Sequence, residues 1–139
     1  MSIAKTMFAT LALCTVAVSA PAFADKMKAT LNAASEVPPN ASPATGTADI
    51  DFDPATKKLS WKMTYTGLTG PATMAHFHGP AEPGKNAGIA VPIAPASSPS
   101  EGSATLTDAQ AADLVAGKYY VNVHTDANKG GEIRGQVTK

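Results

Sequence analysis

Residues 46–66, GTADIDFDPATKKLSWKMTYT, alternate between apolar and polar side chains in two runs separated by a turn. In the first run Ile50 and Phe52 point the same way, and in the second run every other residue over 59–65 is apolar. Between the runs, Pro54 fixes φ at about −65°, which suits a turn. Because alternation with a period of two is typical of strands, the segment predicts an antiparallel hairpin with one buried face.

The same signals recur along the chain. Further strands are predicted over residues 27–34, 72–78, 88–94, 102–106, 118–125 and 132–138. One short helix is predicted over 107–117, because Thr107 and Gln110 form a capping-box pattern and Gly117 suits the position after the last turn. About eight strands with turns between them predict an antiparallel Greek-key sandwich or barrel with one short helix. The apolar faces predict a core that includes Phe52, Trp61, Tyr65, Phe77, Tyr119, Val121 and Val123.

The first 24 residues, 1–24, do not follow this pattern. One lysine precedes an apolar stretch over 7–18, and Ala22 and Ala24 occupy the small-residue positions of a cleavage site. This order is typical of a secretory signal peptide, so we predict cleavage after Ala24 and a periplasmic or secreted domain of residues 25–139. The apolar stretch is shorter than the roughly 20 residues that span a bilayer. We therefore expect no membrane insertion after cleavage.

The charge and cysteine content of the mature domain exclude several classes of function. Loss of Lys5 with the signal peptide leaves 10 basic and 11 acidic residues. This near balance argues against nucleic-acid and anionic-membrane partners. The single cysteine, Cys14, lies in the predicted signal peptide, so the domain has no disulfide and no thiolate chemistry. Leu13 is not the small residue that usually precedes a lipidated cysteine, which disfavours a lipoprotein.

The three histidines of the chain all fall in predicted strands. His76 and His78 share one face because side chains at i and i+2 project together, about 6 to 7 Å apart. This separation suits two imidazoles that bind one ion, since metal–nitrogen bonds are about 2 Å long. His124 lies on the polar face of a later strand, beside Tyr120 and Asn122. If the two strands are neighbours, the histidines complete a three-imidazole metal site.

Copper is the predicted metal. Imidazole is a good copper ligand, and Met74, whose thioether lies one pleat from His76, is a possible additional ligand that favours copper over zinc. A second interpretation stays open, in which the imidazoles lie on a half-exposed sheet face and each is hydrogen-bonded to a loop carbonyl. Spacing alone does not decide between these two interpretations.

Other patterns give weaker signals. Glu132 and Arg134 share a strand face, which predicts an ion pair that braces a hairpin, with a ligand-binding pair as the alternative. Residues 126–130, DANKG, resemble the start of a calcium loop but lack an acidic residue at the closing position. No nucleophile motif, phosphate loop or pair of catalytic carboxylates is visible, so a binding role is favoured over an enzymatic one.

Three segments carry a family resemblance: AHFHGPA at 75–81, YYVNVHT at 119–125 and GGEIRGQV at 130–137. They closely resemble the CHRD domain, a family named after chordin that also occurs as single secreted domains in bacteria. The resemblance covers nearly all of the mature chain. It implies a secreted β-sandwich whose biochemical activity is largely uncharacterised. In chordin the domain lies within an extracellular antagonist of growth factors, so a metal-free protein–protein interaction module is an alternative function with an unknown protein partner.

A fainter resemblance is to copper/zinc superoxide dismutase, another Greek-key barrel. In that family two copper ligands form a His-x-His pair on one strand and a later histidine comes from a strand near the chain end. His76, His78 and His124 are similar in placement, and Arg134 is similar to the substrate-guiding arginine. The chain lacks the bridging histidine, the zinc-ligand loop and the cysteine pair. A dismutase-like copper enzyme is thus a further alternative to the leading hypothesis of a copper carrier, buffer or storage protein.

Overall fold

The computed structural model describes residues 23–139, so all but the last two residues of the predicted signal peptide lie outside the described part of the chain. The described part contains eight strands and one α-helix, and a single 3-10 turn, Ala33–Ser35, follows the first strand. The elements are β1 Asp25–Asn32, β2 Thr45–Asp53, β3 Lys58–Thr66, β4 Ala72–His78, β5 Ile89–Pro92, β6 Ser100–Thr105, α1 Asp108–Val115, β7 Tyr120–Thr125 and β8 Ile133–Gln136.

All eight strands belong to one antiparallel sheet that forms a nearly closed barrel. Their order is β5-β4-β7-β8-β1-β2-β3-β6, so β4 and β7 are hydrogen-bonded neighbours although they are far apart along the chain. The predicted all-β antiparallel fold of about eight strands with one short helix is confirmed.

The predicted hairpin is the pair β2–β3. Ile50 lies opposite Trp61 and Phe52 opposite Leu59, and all four side chains are buried on the inner face. The turn between the strands begins at Asp53, whose carboxylate accepts a hydrogen bond from the amide of Ala55 at 2.9 Å. The alternation in sequence therefore corresponds to alternation between core and solvent.

The barrel interior contains most of the predicted core. Trp61 packs edge-on against Phe77 with ring centroids 5.5 Å apart, and both belong to the central apolar cluster. Tyr65 is only partly buried. Its hydroxyl donates to the carbonyl of Ala96 at 2.8 Å, so the ring lies where its polar end can reach a loop. The predicted core residues that are buried are Phe52, Trp61, Phe77, Tyr119, Val121 and Val123.

The helix α1 forms where its end signals predict it. The Thr107 hydroxyl accepts from the amide of Gln110 at 3.2 Å, and the Gln110 side chain accepts from the amide of Thr107 at 2.9 Å. After the helix, Gly117 has a φ of 77°, a left-handed conformation that favours glycine. Only Leu114 of the helix is buried. Over residues 23–139, no helix has the length and apolar character needed to cross a bilayer.

Candidate metal centre

The pairing of β4 with β7 brings the three histidines together. Met74 lies opposite His124, and His76 lies opposite Asn122. Because alternate residues share a face, His76 and His78 on β4 lie beside Asn122 and His124 on β7. The condition that the sequence left open, namely that these strands are neighbours, is met in the structure.

The imidazole nitrogens are close enough to bind a single ion. One ring nitrogen from each of His76, His78 and His124 lies within 4.8 Å of the other two. The shortest separation is 3.2 Å, between Nδ1 of His76 and Nε2 of His124. Two nitrogens bound tetrahedrally at about 2 Å from one ion are about 3.3 Å apart. The pair therefore already has the spacing of two ligands of one metal.

The three rings are buried, with exposed fractions of 7% for His76, 8% for His78 and 7% for His124. The alternative interpretation placed the imidazoles on a half-exposed sheet face, so it predicted more exposure than the structure has. The loop carbonyls of that interpretation are nevertheless present: His78 Nδ1 lies 3.0 Å from the carbonyl oxygen of Ala87, and His124 Nδ1 lies 2.8 Å from that of Lys129. An Nδ1–H that donates to a carbonyl leaves Nε2 with its lone pair, as in many histidines that bind metals.

Burial also controls the charge of the imidazoles. Desolvation lowers the pKa of His76 below its usual value, and the neighbouring imidazoles of His124 and His78 lower it further. Desolvation likewise lowers the pKa of His78, although its hydrogen bonds to Ala87 and Asn122 act in the opposite direction. The lowered pKa values favour the neutral rings, which is the protonation state that binds a metal.

Two stacked side chains, Tyr120 and Arg134, support the ring of His78. Tyr120 lies parallel to this imidazole, with an interplanar angle of 5° and centroids 4.8 Å apart. The guanidinium carbon of Arg134 lies 3.5 Å from the centre of the Tyr120 ring on β7. Arg134 in turn donates to Asn86 Oδ1 at 2.8 Å and to the carbonyl of Lys85. The stack therefore connects the imidazole to the loop between β4 and β5.

Two further polar residues adjoin the histidines and were not predicted as site residues. Asn122 is 3% exposed, and its Oδ1 lies 2.9 Å from Nε2 of His78. Glu36 is 4% exposed, and burial raises its pKa to about 7, although the charge of Arg134 and a hydrogen bond from Asn122 oppose this rise. Asn122 could have been found from its position two residues before His124, which places both on one face. Nothing local in the sequence indicates that Glu36 is buried.

A protein-family model, the CHRD domain, matches residues 27–137. The chain belongs to the CHRD domain family. The family predicted from the sequence motifs is thereby confirmed, and the matched residues include all three histidines together with Asn122 and Arg134. Comparison with curated proteins and with solved structures gives no significant match.

One interaction predicted for this CHRD domain is wrong. Among residues 23–139, Glu132 and Arg134 do not form an ion pair, because each has other partners. The fully buried Glu132 carboxylate accepts hydrogen bonds from the hydroxyls of Ser42, Thr69 and Thr125 and from the amide of Thr69, at 2.6 to 2.8 Å. Burial by itself would raise the pKa of Glu132, but these hydrogen bonds lower it to about 2.

The other candidate ligands of the CHRD domain lie outside the histidine cluster. In the described part of the chain, His76, His78 and His124 form the one group of three or more His, Cys, Asp or Glu residues with ligand atoms close enough for a metal. Asp126, in the calcium-like segment, does not belong to such a group. Met74 is the cross-strand neighbour of His124 and is 49% exposed, and its role as an additional ligand stays a prediction.

Proposed function

We propose that this CHRD domain binds one transition-metal ion through His76, His78 and His124, and that this ion is copper. The observation that supports the proposal best is the convergence of three buried imidazoles, two of which have nitrogens 3.2 Å apart. The fixed Nδ1 contacts of His78 and His124 leave Nε2 available in each ring. Such oriented donors would need little rearrangement on binding an ion.

The donor chemistry favours a transition metal over calcium or magnesium. Imidazole suits copper, zinc, iron and nickel, whereas calcium and magnesium prefer oxygen ligands. Among the divalent ions of the first transition row, copper binds most tightly to a given site of nitrogen and oxygen donors. Copper is therefore the first candidate, and zinc is the ion to compare with it.

The enclosed position of the ligands favours storage or transport over catalysis. Catalytic metal sites keep a coordination position open for substrate. Here the imidazoles are at most 8% exposed, so a bound ion would be largely covered by protein. We propose that the domain is exported by its N-terminal segment and acts in the periplasm or outside the cell as a copper carrier, buffer or storage protein.

Metal analysis of the purified mature domain, after incubation with copper or zinc and removal of free ions, tests the proposal. We expect about one ion per domain and none in the triple variant in which His76, His78 and His124 are alanine. Thr64→Ala, on the outer sheet face, serves as the control and should retain the ion. A folded wild-type domain that retains no metal would contradict the proposal and favour the interaction module.

A further inference from the structure

We infer that the side-chain oxygen of Asn122 is a fourth donor to the same ion, so that the site offers three imidazole nitrogens and one amide oxygen and prefers Cu(II) to Cu(I). This inference rests on the proposed function, since it adds a ligand to the same centre. It also identifies the oxidation state that the domain would hold.

The strand register places Asn122 among the histidines. His76 and Asn122 are direct cross-strand partners, His78 follows two residues after His76, and His124 follows two residues after Asn122. The four side chains thus occupy the corners of one patch on two paired strands. Asn122 is as buried as the histidines, with 3% of its surface exposed. Its oxygen lies 2.9 Å from Nε2 of His78, a distance similar to that between two ligands of one ion.

In its neutral form, the His78 ring leaves one of its two close contacts with oxygen atoms without a hydrogen. Both ring nitrogens face oxygen atoms: Nδ1 faces the carbonyl of Ala87 at 3.0 Å, and Nε2 faces Oδ1 of Asn122 at 2.9 Å. A neutral imidazole has only one N–H. When Nδ1 donates to Ala87, the lone pairs of Nε2 and Oδ1 point at each other. A metal ion bound to both atoms would relieve this repulsion.

The amide nitrogen of Asn122 lies away from the histidines, beside Gly131 and Glu36. A Cβ built on Gly131 would lie 2.6 Å from Nδ2 of Asn122 and also against Oε1 of Glu36, so the amide nitrogen and the carboxyl oxygen both border this glycine. Gly131 has a φ of 125°, which a residue with a side chain would rarely adopt. The amide nitrogen therefore lies on the side of the Glu36 carboxyl, and the oxygen lies on the side of the imidazoles.

An amide oxygen affects the two copper oxidation states differently. Oxygen is a hard ligand and contributes to Cu(II), whereas Cu(I) prefers soft ligands such as thioether or thiolate. Removing the oxygen should therefore weaken Cu(II) binding and leave Cu(I) binding nearly unchanged. A residue that only supported the fold would weaken both to the same extent.

The test compares Asn122→Leu with the wild-type domain in competition titrations against chelators specific for Cu(II) and for Cu(I). We expect the Cu(II) affinity to fall roughly 10- to 100-fold and the Cu(I) affinity to stay within a factor of about three. Asn128→Leu, the same change in the loop before β8, is the matched control and should alter neither affinity. Equal losses for both ions, or no loss for Cu(II), would overturn the inference.

Asn122→Asp provides a second test if the leucine variant does not fold. It retains an oxygen donor and adds a negative charge, so Cu(II) should bind more tightly and the electron paramagnetic resonance spectrum of the Cu(II) form should change. An unchanged affinity and spectrum would overturn the inference. A wild-type domain that binds no ion overturns the proposed function and the inference together, whereas binding that is insensitive to Asn122 overturns only the inference.

Discussion

Nδ1 of His76 lies 3.2 Å from Nε2 of His124, although the two residues are 48 positions apart in the chain. The contact arises because β4 and β7 pair in the barrel, which aligns Met74 with His124 and His76 with Asn122. With His124 Nδ1 facing the carbonyl of Lys129, its Nε2 can accept a proton from His76 or bind an ion. The same two nitrogens can therefore share either a proton or a metal.

His124→Ala should weaken copper binding by at least about 100-fold, because it removes one of the imidazoles without filling the space. The fold should persist, since the core beneath the site does not depend on this side chain. Titration with copper and a thermal unfolding curve measure the two effects.

Met74→Leu is the comparison: it should leave Cu(II) binding nearly unchanged and weaken Cu(I) binding if the thioether is a ligand. Undiminished binding by His124→Ala would exclude the three-histidine site.

Copper binding should persist to lower pH than at a site of ordinary histidines. The pKa of His76 and of His78 is lowered by desolvation, so protons compete with the ion only below the usual value of about 6.5. Affinity should change little above pH 6.5 and fall below it as His76 and His78 become protonated. Copper titrations between pH 4 and 8 measure the midpoint. A midpoint above 6.5 would contradict the lowered pKa values.

Glu132→Gln should destabilise the domain by roughly 2 kcal/mol at pH 7, because the buried carboxylate accepts hydrogen bonds that lower its pKa to about 2. A carboxyl with a lowered pKa in the folded state stabilises the protein above its unfolded value of 4.5, and this contribution is lost as the pH falls toward 2. Urea unfolding at several pH values should show that the difference in free energy of unfolding between the variant and the wild type disappears as the pH falls from 4.5 to 2. Glu82→Gln, at an exposed position, should have little effect at any pH.

Trp61→Ala should lower the free energy of unfolding by about 3 to 5 kcal/mol. The indole is 7% exposed and packs against Phe77 inside the barrel, so its removal leaves a cavity. Lys62→Ala, the next residue on the opposite face, is the control and should change stability only slightly. Chemical denaturation measures the free energy of unfolding of both variants. Equal losses in Trp61→Ala and Lys62→Ala would show that the indole does not support the core.

The exported protein should begin at Asp25. Ala22 and Ala24 occupy the small-residue positions of the predicted cleavage site. Sequencing of the N-terminus of protein collected from the periplasm or medium gives the cleavage position directly. A chain that begins at Cys14 and carries lipid would contradict the predicted soluble domain.

Local periodicity was sufficient to predict the hairpin and half of the site. The alternation over residues 46–66 predicted which side chains of β2 and β3 are buried, and the same rule placed His76 and His78 on one face. These features depend on neighbours within a strand, where the period of two fixes direction. The position of His124 depends on which strands pair, and the sequence does not show that β7 lies beside β4.

The partners of charged groups were the features hardest to predict. Glu132 and Arg134 are two residues apart, yet the carboxylate bonds to the loops at Ser42 and Thr69, and the guanidinium covers Tyr120. These contacts connect distant segments, so nothing in the local pattern favours them over a direct ion pair. Glu36 is similar, since only the folded barrel places it behind Asn122.

The proposed metal binding would depend on formation of the β4–β7 pair. His76 and His78 come from one part of the chain and His124 from another, and the pairing of the two strands joins them. A chain still in an extended, translocating state would thus present at most a two-histidine site. Since an ion that binds only the native state stabilises it by about 2.7 kcal/mol at a hundred times its dissociation constant, a bound copper ion would also stabilise the folded barrel against unfolding.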